Sequence, residues 1–111
     1  MSLDRQEMVR VLSEQYPAIR ADLTEESWVG LTTLEIACFT RYTQHQIDTG
    51  DQAELRRCFE TARQFLLYGD SDVSNAICVS FLEHLNFQDG RSRRSWAKSL
   101  LPVALAEALS E

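Results

Sequence analysis

The placement of glycine and proline constrains the fold of this chain more than any other feature. Only four glycines and two prolines occur among its 111 residues. The glycines, Gly30, Gly50, Gly69 and Gly90, recur about every twenty residues. Glycine often follows the last residue of a helix, and a segment of about twenty residues holds a helix of four to five turns and a short connection. The spacing therefore predicts consecutive helices.

The apolar side chains between these breaks follow steps of three and four, which is typical of amphipathic helices and not of strands. A first stripe contains Met8, Val9, Leu12 and Tyr16 and stops at Pro17, because the residue before a proline avoids the helical region. The second stripe contains Leu31, Leu34, Cys38, Tyr42 and His45. The third contains Leu55, Cys58 or Phe59, Ala62, Phe65 and Leu66. The fourth contains Val73, Ile77, Phe81 or Cys78, Leu82 and Leu85. We therefore expect an all-α, up-down bundle of about five helices that spans residues 1–111 as a single domain.

The predicted boundaries rest on local chemistry. Gly50 and Gly69 suit a left-handed position after a helix. Asp51, and one of Asp70, Ser71 and Asp72, suit the cap before the next helix. A last helix carries Trp96, Leu100 and Leu105, and Pro102 is expected to kink it or split it in two. Residues 17–30 are expected to be the least regular part of the chain.

Internal repetition is a second interpretation of the spacing. When the chain is written in rows of twenty from residue 31, Cys38, Cys58 and Cys78 share a column, which indicates helical-hairpin repeats. Helices of similar length in a plain bundle produce the same spacing. Both interpretations stay open at this point.

Charge and composition exclude several classes of function. The formal net charge of −6 argues against a nucleic-acid partner, which requires a basic face. No apolar stretch is long enough to cross a membrane. The odd number of cysteines, three, favours a reducing cytoplasm over a secreted disulfide scaffold, and the polar start of the chain does not resemble a signal peptide. We expect a cytoplasmic protein.

Candidate reactive residues are few and poorly spaced. The cysteines lack the close C-x-x-C pairing of zinc sites and lie on or beside apolar stripes, so we expect packing roles, no metal and no cofactor. We expect no enzymatic activity. The competing hypothesis is a metal-binding or enzymatic helical protein that uses Glu35, Glu83, His45 or His84. Glu83 is either solvated or the partner of an arginine such as Arg63.

Acidic residues offer a better indication of function. If consecutive helices alternate in direction, every second connection lies at the same end of the bundle. Asp22, Glu25 and Glu26 then share an end with Asp70 and Asp72, whereas Asp48, Asp51 and Asp89 lie at the other end, near the basic residues Arg91, Arg93, Arg94 and Lys98. A negative surface of this kind, with Trp28 as an aromatic anchor, predicts a basic protein partner. A structural homo-oligomer is the other alternative, and the basic residues are either a solvated helix start or a site for an anion.

The stretch from Phe59 to Leu85 carries a recognisable pattern: Tyr68-Gly69-Asp70, then Val73-x-Asn75, then Phe81-Leu82-Glu83-x-Leu85. It resembles a family of small uncharacterised bacterial helical proteins with a G-D-x-x-V-x-N turn and an F-L-E-x-L helix. Similar domains occur among the immunity-type proteins of bacterial polymorphic toxin systems. The resemblance implies a bacterial, cytoplasmic, all-helical domain without catalytic residues, and an immunity-like antagonist is its sharpest functional expectation.

Overall fold

The computed structural model describes residues 3–23, 32–85 and 95–109. These residues form seven α-helices: α1 (Arg5–Gln15), α2 (Arg20–Leu23), α3 (Thr32–Thr49), α4 (Gln52–Tyr68), α5 (Ser71–Ala76), α6 (Ser95–Lys98) and α7 (Val103–Leu109). A 3-10 turn, Pro17–Ile19, leads into α2, and α5 continues without a break into a π-helix, Ile77–Leu82, which we call the π segment. Within this part of the chain the predicted all-α bundle is confirmed.

Aspartate side chains begin the helices as predicted. Asp51 accepts a hydrogen bond from the Glu54 backbone N–H at 3.1 Å and starts α4. Asp70 accepts one from the Val73 N–H at 3.0 Å and starts α5. Each carboxylate satisfies a backbone donor that has no partner within the first helical turn. Two connections of only two residues therefore make α3, α4 and α5 antiparallel neighbours.

The two glycines in these connections serve different purposes. Gly50 has φ +77°, the predicted left-handed conformation. Gly69 does not, and the prediction of a left-handed Gly69 was wrong: its φ is −70° and its ψ is 153°, an extended conformation. A Cβ at Gly69 would lie 2.3 Å from the Phe65 carbonyl oxygen and 2.7 Å from Val73 Cγ1. Close packing at this turn, and not backbone conformation, excludes a side chain.

The start of α1 is fixed against the turn between α4 and α5. The Leu3 N–H donates to the Tyr68 carbonyl at 2.7 Å, and the Asp70 N–H donates to the Leu3 carbonyl at 2.8 Å, which makes an isolated parallel bridge between Leu3 and Gly69. At the other end of α1, Arg57 Nη1 in the second turn of α4 donates to the Gln15 carbonyl at 2.9 Å. These contacts make α1 antiparallel to α4.

Residues 17–23 are more regular than predicted. The 3-10 turn and α2 form a helical stretch that packs on α1 and α3, with Ile19 and Leu23 buried. Proline at the first helical position suits this start, because its missing N–H would have no helical partner there. The rest of the segment predicted to be irregular, residues 24–30, lies outside the described residues.

Aromatic side chains fill the centre of the core. The Phe39 and Phe81 rings stack with centroids 5.2 Å apart, and Tyr16 packs at a tilt on Phe39 with centroids 5.1 Å apart. The predicted stripes on α4 and α5 are confirmed as largely buried, and on α1 Met8, Leu12 and Tyr16 are buried. The stripe on α3 was partly wrong: Cys38 is buried as predicted and Tyr42 is half-buried, but Leu34 and His45 are exposed, and Leu31 lies outside the described residues. The buried face of α3 also carries Glu35, Ile36, Phe39, Thr40, Thr43, Gln46 and Ile47.

The last predicted helix is split as expected. Pro102 immediately precedes α7, which separates α6 from α7, and Leu105 on α7 is buried in the shared core. Pro102 favours this break because it cannot donate to a preceding carbonyl and clashes with the helical turn before it. No helix among the described residues is long and apolar enough to cross a bilayer.

Candidate functional site

Three of the six residues predicted to bind a partner are described. Asp70 caps α5 and is partly buried, Asp72 is exposed in the first turn of α5, and Asp22 is exposed on α2. Glu25, Glu26 and Trp28 lie outside the described residues. The same holds for Arg91, Arg93 and Arg94 of the basic cluster, whereas Lys98 is exposed at the end of α6.

Asp22 lies on α2, which packs on α1 and α3. The Asp22 charge acts on the Cys38 thiol, one helical turn after Glu35 on α3. Glu35 pairs with Arg5 in the first turn of α1, and α1 begins beside Asp70. A shared acidic surface of Asp22, Asp70, Asp72 and residues 25–28 stays a prediction.

Glu35, one of the residues of the competing hypothesis, forms an ion pair within the fold. Arg5 Nε and Nη2 each donate to one Glu35 carboxylate oxygen at 2.8 Å, a bidentate pair. The Glu35 side chain is fully buried, and Arg5 is 31% exposed. The hydrogen bond from Arg5 to Glu35 raises the pKa of the guanidinium above its ordinary value. Both oxygens of this carboxylate are therefore engaged by charge-assisted bonds within the fold.

The other three residues of that hypothesis lie at the surface. His45, His84 and Glu83 are exposed. Arg63 pairs with Glu60 at 3.0 Å, so of the two interpretations of Glu83 the solvated one describes it. No group of three or more histidine, cysteine, aspartate or glutamate residues within the described ranges is arranged to hold a metal ion.

A polar network joins the end of α1 to α3 and α4. Arg57 donates to both carboxylate oxygens of Glu54, at 2.6 and 2.8 Å, and its guanidinium lies 4.4 Å from the centroid of the Tyr16 ring. Tyr42 donates to the same Glu54 carboxylate. The bonds from Arg57 lower the pKa of Glu54, and burial together with the bond to Glu54 raises the pKa of Tyr42 to about 12. The Tyr16 hydroxyl bonds to Thr61 Oγ1 at 2.8 Å. This network fixes the end of α1.

The cysteines behave as core residues. Cys38 and Cys58 are buried and Cys78 is half-buried, and none of the three is in a disulfide. Burial raises the pKa of the Cys58 thiol to about 12 and also raises that of Cys38, which Arg41 partly opposes. A nucleophilic cysteine requires a lowered pKa, so the shifts agree with the predicted packing role.

The π segment continues α5 and packs on α3. The Glu83 N–H donates to the Cys78 carbonyl five residues earlier, at 3.3 Å. Thr40 Oγ1 on α3 donates across the interface to the Ser80 carbonyl at 2.7 Å, and it also lies 2.9 Å from the Ile36 carbonyl of its own helix. π-helical turns occur frequently at functional sites, because they widen the helix and displace the side chains that follow.

A cleft with a volume of about 410 Å³ opens beside this interface. Along α3 it is lined by Leu34, Ala37 and Arg41, with Thr33, Thr40 and Gln44. Ser80 of the π segment and His84, which follows it, form the other wall. The cleft therefore combines an apolar surface with two basic side chains.

Sequence reasoning missed both the cleft and the Arg5–Glu35 pair. The π segment has no propensity signature, because its residues, Ile77–Leu82, read as an ordinary apolar helix. One signal was present in the sequence: Leu34 and Arg41 are two turns apart on α3, which places them on one face together with Ala37. Only the packing of α3 shows that this face is open.

The fold and these sites define a class, a small all-helical bundle whose described buried carboxylate is neutralised within the structure. The chain belongs to the family described as Domain of unknown function (DUF7674), whose model matches residues 9–111. That match includes the stretch 59–85, on which the resemblance to small helical proteins rested. No curated protein and no solved structure matches the chain.

Proposed function

We propose that this protein is a non-enzymatic, cytoplasmic protein-interaction domain of bacterial origin, and that it acts as an immunity-like antagonist of a basic toxin. The observation that carries the proposal is the state of Glu35. It is the only fully buried ionisable carboxylate among the described residues, and Arg5 binds both of its oxygens. Glu35 is therefore held by an ion pair inside the fold, and binding at the surface is the function that we propose.

The charge of the chain supports a basic partner. Its formal net charge is −6, and Asp22 and Asp72 are exposed at the surface. Opposite charges on two proteins accelerate their association, because the field guides the encounter before the surfaces touch. In this proposal Glu25 and Glu26 extend the acidic surface and Trp28 anchors the complex.

The test begins with the gene next to the one that encodes this chain. We expect its product to inhibit growth when it is expressed alone in a bacterial host, and co-expression of this chain to restore growth. Purified, the two proteins should form a stable complex, measured by calorimetry. A neighbouring gene product that neither inhibits growth nor binds this chain would contradict the immunity role.

Charge reversal locates the surface. The double variant Asp22→Lys with Asp72→Lys should slow association with the toxin roughly tenfold at low salt, measured by stopped flow. The control variant Asp48→Lys with Glu107→Lys makes the same change in net charge at two other exposed positions. If both double variants slow association equally, net charge alone is responsible and the proposed surface is wrong.

A further inference from the structure

The cleft between α3 and the π segment has the size and composition of a small-molecule site. Its volume of about 410 Å³ lies in the range of ligand pockets, roughly 300–1,000 Å³, which are mostly apolar with a few convergent polar groups. Leu34, 43% exposed, and the half-buried Ala37 supply the apolar surface. The bond from Thr40 to the Ser80 carbonyl fixes the two walls relative to each other.

The formal charge in the cleft favours an anion. Arg41 contributes a guanidinium, and none of the described residues that line the cleft is acidic. Arg5, Arg10, Arg57 and Arg63 each bind a carboxylate within the fold. The polar contact of Arg41 in the described structure is the Cys38 thiol, with Nη2 and Sγ 3.5 Å apart. Arginine readily forms bidentate bonds with carboxylates, and that capacity of Arg41 is unused among the described residues.

The negative net charge of the protein limits the class of anion that the cleft can bind. With a formal charge of −6, the long-range field of the protein repels anions, so attraction must come from direct contact with Arg41 and from burial of apolar surface. A highly charged ligand such as a polyphosphate has little apolar surface to bury and more charge to be repelled. A singly charged ligand with an apolar body fits both parts of the cleft.

We propose that this cleft binds a small organic monocarboxylate, with the carboxylate on Arg41 and the apolar body against Leu34 and Ala37. The proposal does not depend on the proposed function, because the ligand contacts only residues of the cleft. His84 and Gln44 also line the cleft, and the Gln44 amide donates to Asp48 at 3.2 Å. Nothing covalent is involved, and the occupied cleft would link α3 to the π segment more firmly.

Hexanoate is a suitable probe, because it joins a carboxylate to a five-carbon apolar chain. In a titration of the full chain followed by ¹H–¹⁵N NMR, we expect saturable shifts centred on Ala37, Arg41 and Ser80, with a Kd of about 1 mM. Hexan-1-ol, the neutral counterpart, should bind at least about tenfold more weakly, since it lacks the charge-assisted bonds.

Two arginine variants separate the site from net charge. Arg41→Gln should weaken hexanoate binding about tenfold, the loss expected for a partly exposed charge-assisted pair. Arg56→Gln changes the net charge equally at an exposed position of α4 away from the cleft, and it should leave the Kd within about twofold. Ala37→Leu, at a half-buried helical position that accepts leucine well, narrows the cleft and should also weaken binding about tenfold.

Several outcomes overturn the proposal. Equal binding of hexanol and hexanoate would remove the role of charge, and equal losses in both arginine variants would remove the role of Arg41. Shifts centred away from the cleft, or no saturation up to about 50 mM hexanoate, would show that the cleft is not a carboxylate site. The titration requires no protein partner, so its failure is distinct from a failure of the immunity proposal.

Discussion

The two sides of α3 show two uses of the same residue type. On one side Arg5 reaches Glu35, a fully buried carboxylate, and both of its oxygens are bonded at 2.8 Å. On the other side Arg41 lies at a cleft of about 410 Å³ without a carboxylate partner among the described residues. With 3.6 residues per turn, Glu35 and Ala37 point to nearly opposite sides of the helix. We call these the core side and the cleft side of α3.

This difference indicates that the residues that stabilise the fold and the residues proposed to bind a ligand lie on different sides of α3. The core side is satisfied: no described buried side-chain nitrogen or oxygen lacks a hydrogen-bond partner. Changes there should reduce stability, because they leave buried groups without partners. Changes on the cleft side should alter ligand binding with little effect on stability, since the groups there already face solvent.

The largest expected effect is on the core side. Arg5→Met removes the partner of Glu35 and leaves a buried carboxylate uncompensated, which should lower the free energy of unfolding by about 3–5 kcal/mol. Urea denaturation at pH 7 measures it. Arg63→Met breaks the exposed pair with Glu60, 3.0 Å long, and should cost at most about 1 kcal/mol. Similar losses of unfolding free energy in both variants would mean that the buried and the exposed ion pair contribute alike, which would contradict the proposed role of the core side.

An intermediate effect depends on pH. Burial raises the pKa of Cys58 to about 12 in the fold, above its ordinary value of 9.0, so above pH 9 the thiol ionises in the unfolded chain while it stays protonated in the folded one. The unfolded state then binds fewer protons, and stability falls as pH rises from about 9 towards 12. Cys58→Ala should remove about 1.4 kcal/mol per pH unit of that decline.

Denaturation at several pH values between 9 and 11 measures this slope. Phe59→Leu is the control, because it alters the neighbouring buried position without changing an ionisable group. It should lower stability by a similar amount at every pH. If the wild type and Cys58→Ala lose stability in parallel, the thiol does not remain protonated in the fold.

The smallest expected effect concerns the hydrogen bond that joins α3 to the π segment. Thr40→Val removes the donor to the Ser80 carbonyl at 2.7 Å and should cost about 1 kcal/mol. Thr49→Val removes a similar bond within α3, from Oγ1 to the His45 carbonyl at 2.9 Å, at an exposed position, and should stay within about 0.5 kcal/mol. Thermal unfolding compares them. Equal shifts in Tm would indicate that Thr40 does not join α3 to the π segment.

Much of the helical framework was predictable from local chemistry. The caps Asp51 and Asp70, the left-handed Gly50 and the break at Pro102 all follow from the conformational limits of single residues. Gly69 was misjudged because its requirement is a contact: a Cβ would collide with Val73 and with the Phe65 carbonyl. A contact of this kind depends on how the turn folds back, which local propensity does not encode.

The candidate sites were less predictable. Asp22, Asp70 and Asp72 were identified as surface acids, and the structure places all three in helical starts or short helices. The buried state of Glu35 could not be anticipated, since a charged residue is rarely fully buried unless a partner reaches it. Its partner, Arg5, is 30 residues away in the sequence. The cleft could not be predicted for the same reason, because its walls come from α3 and from the π segment, which are far apart in the sequence.

The sequence by itself determined the positions of the main helices, their ends and most of their buried faces, because propensity, capping and apolar period act over a few residues. The tertiary structure alone decided which side of α3 is closed and which is open. That choice depends on long-range pairs such as Arg5 with Glu35 and Thr40 with Ser80. Such pairs form only when distant segments meet, so no local pattern along the chain can specify them.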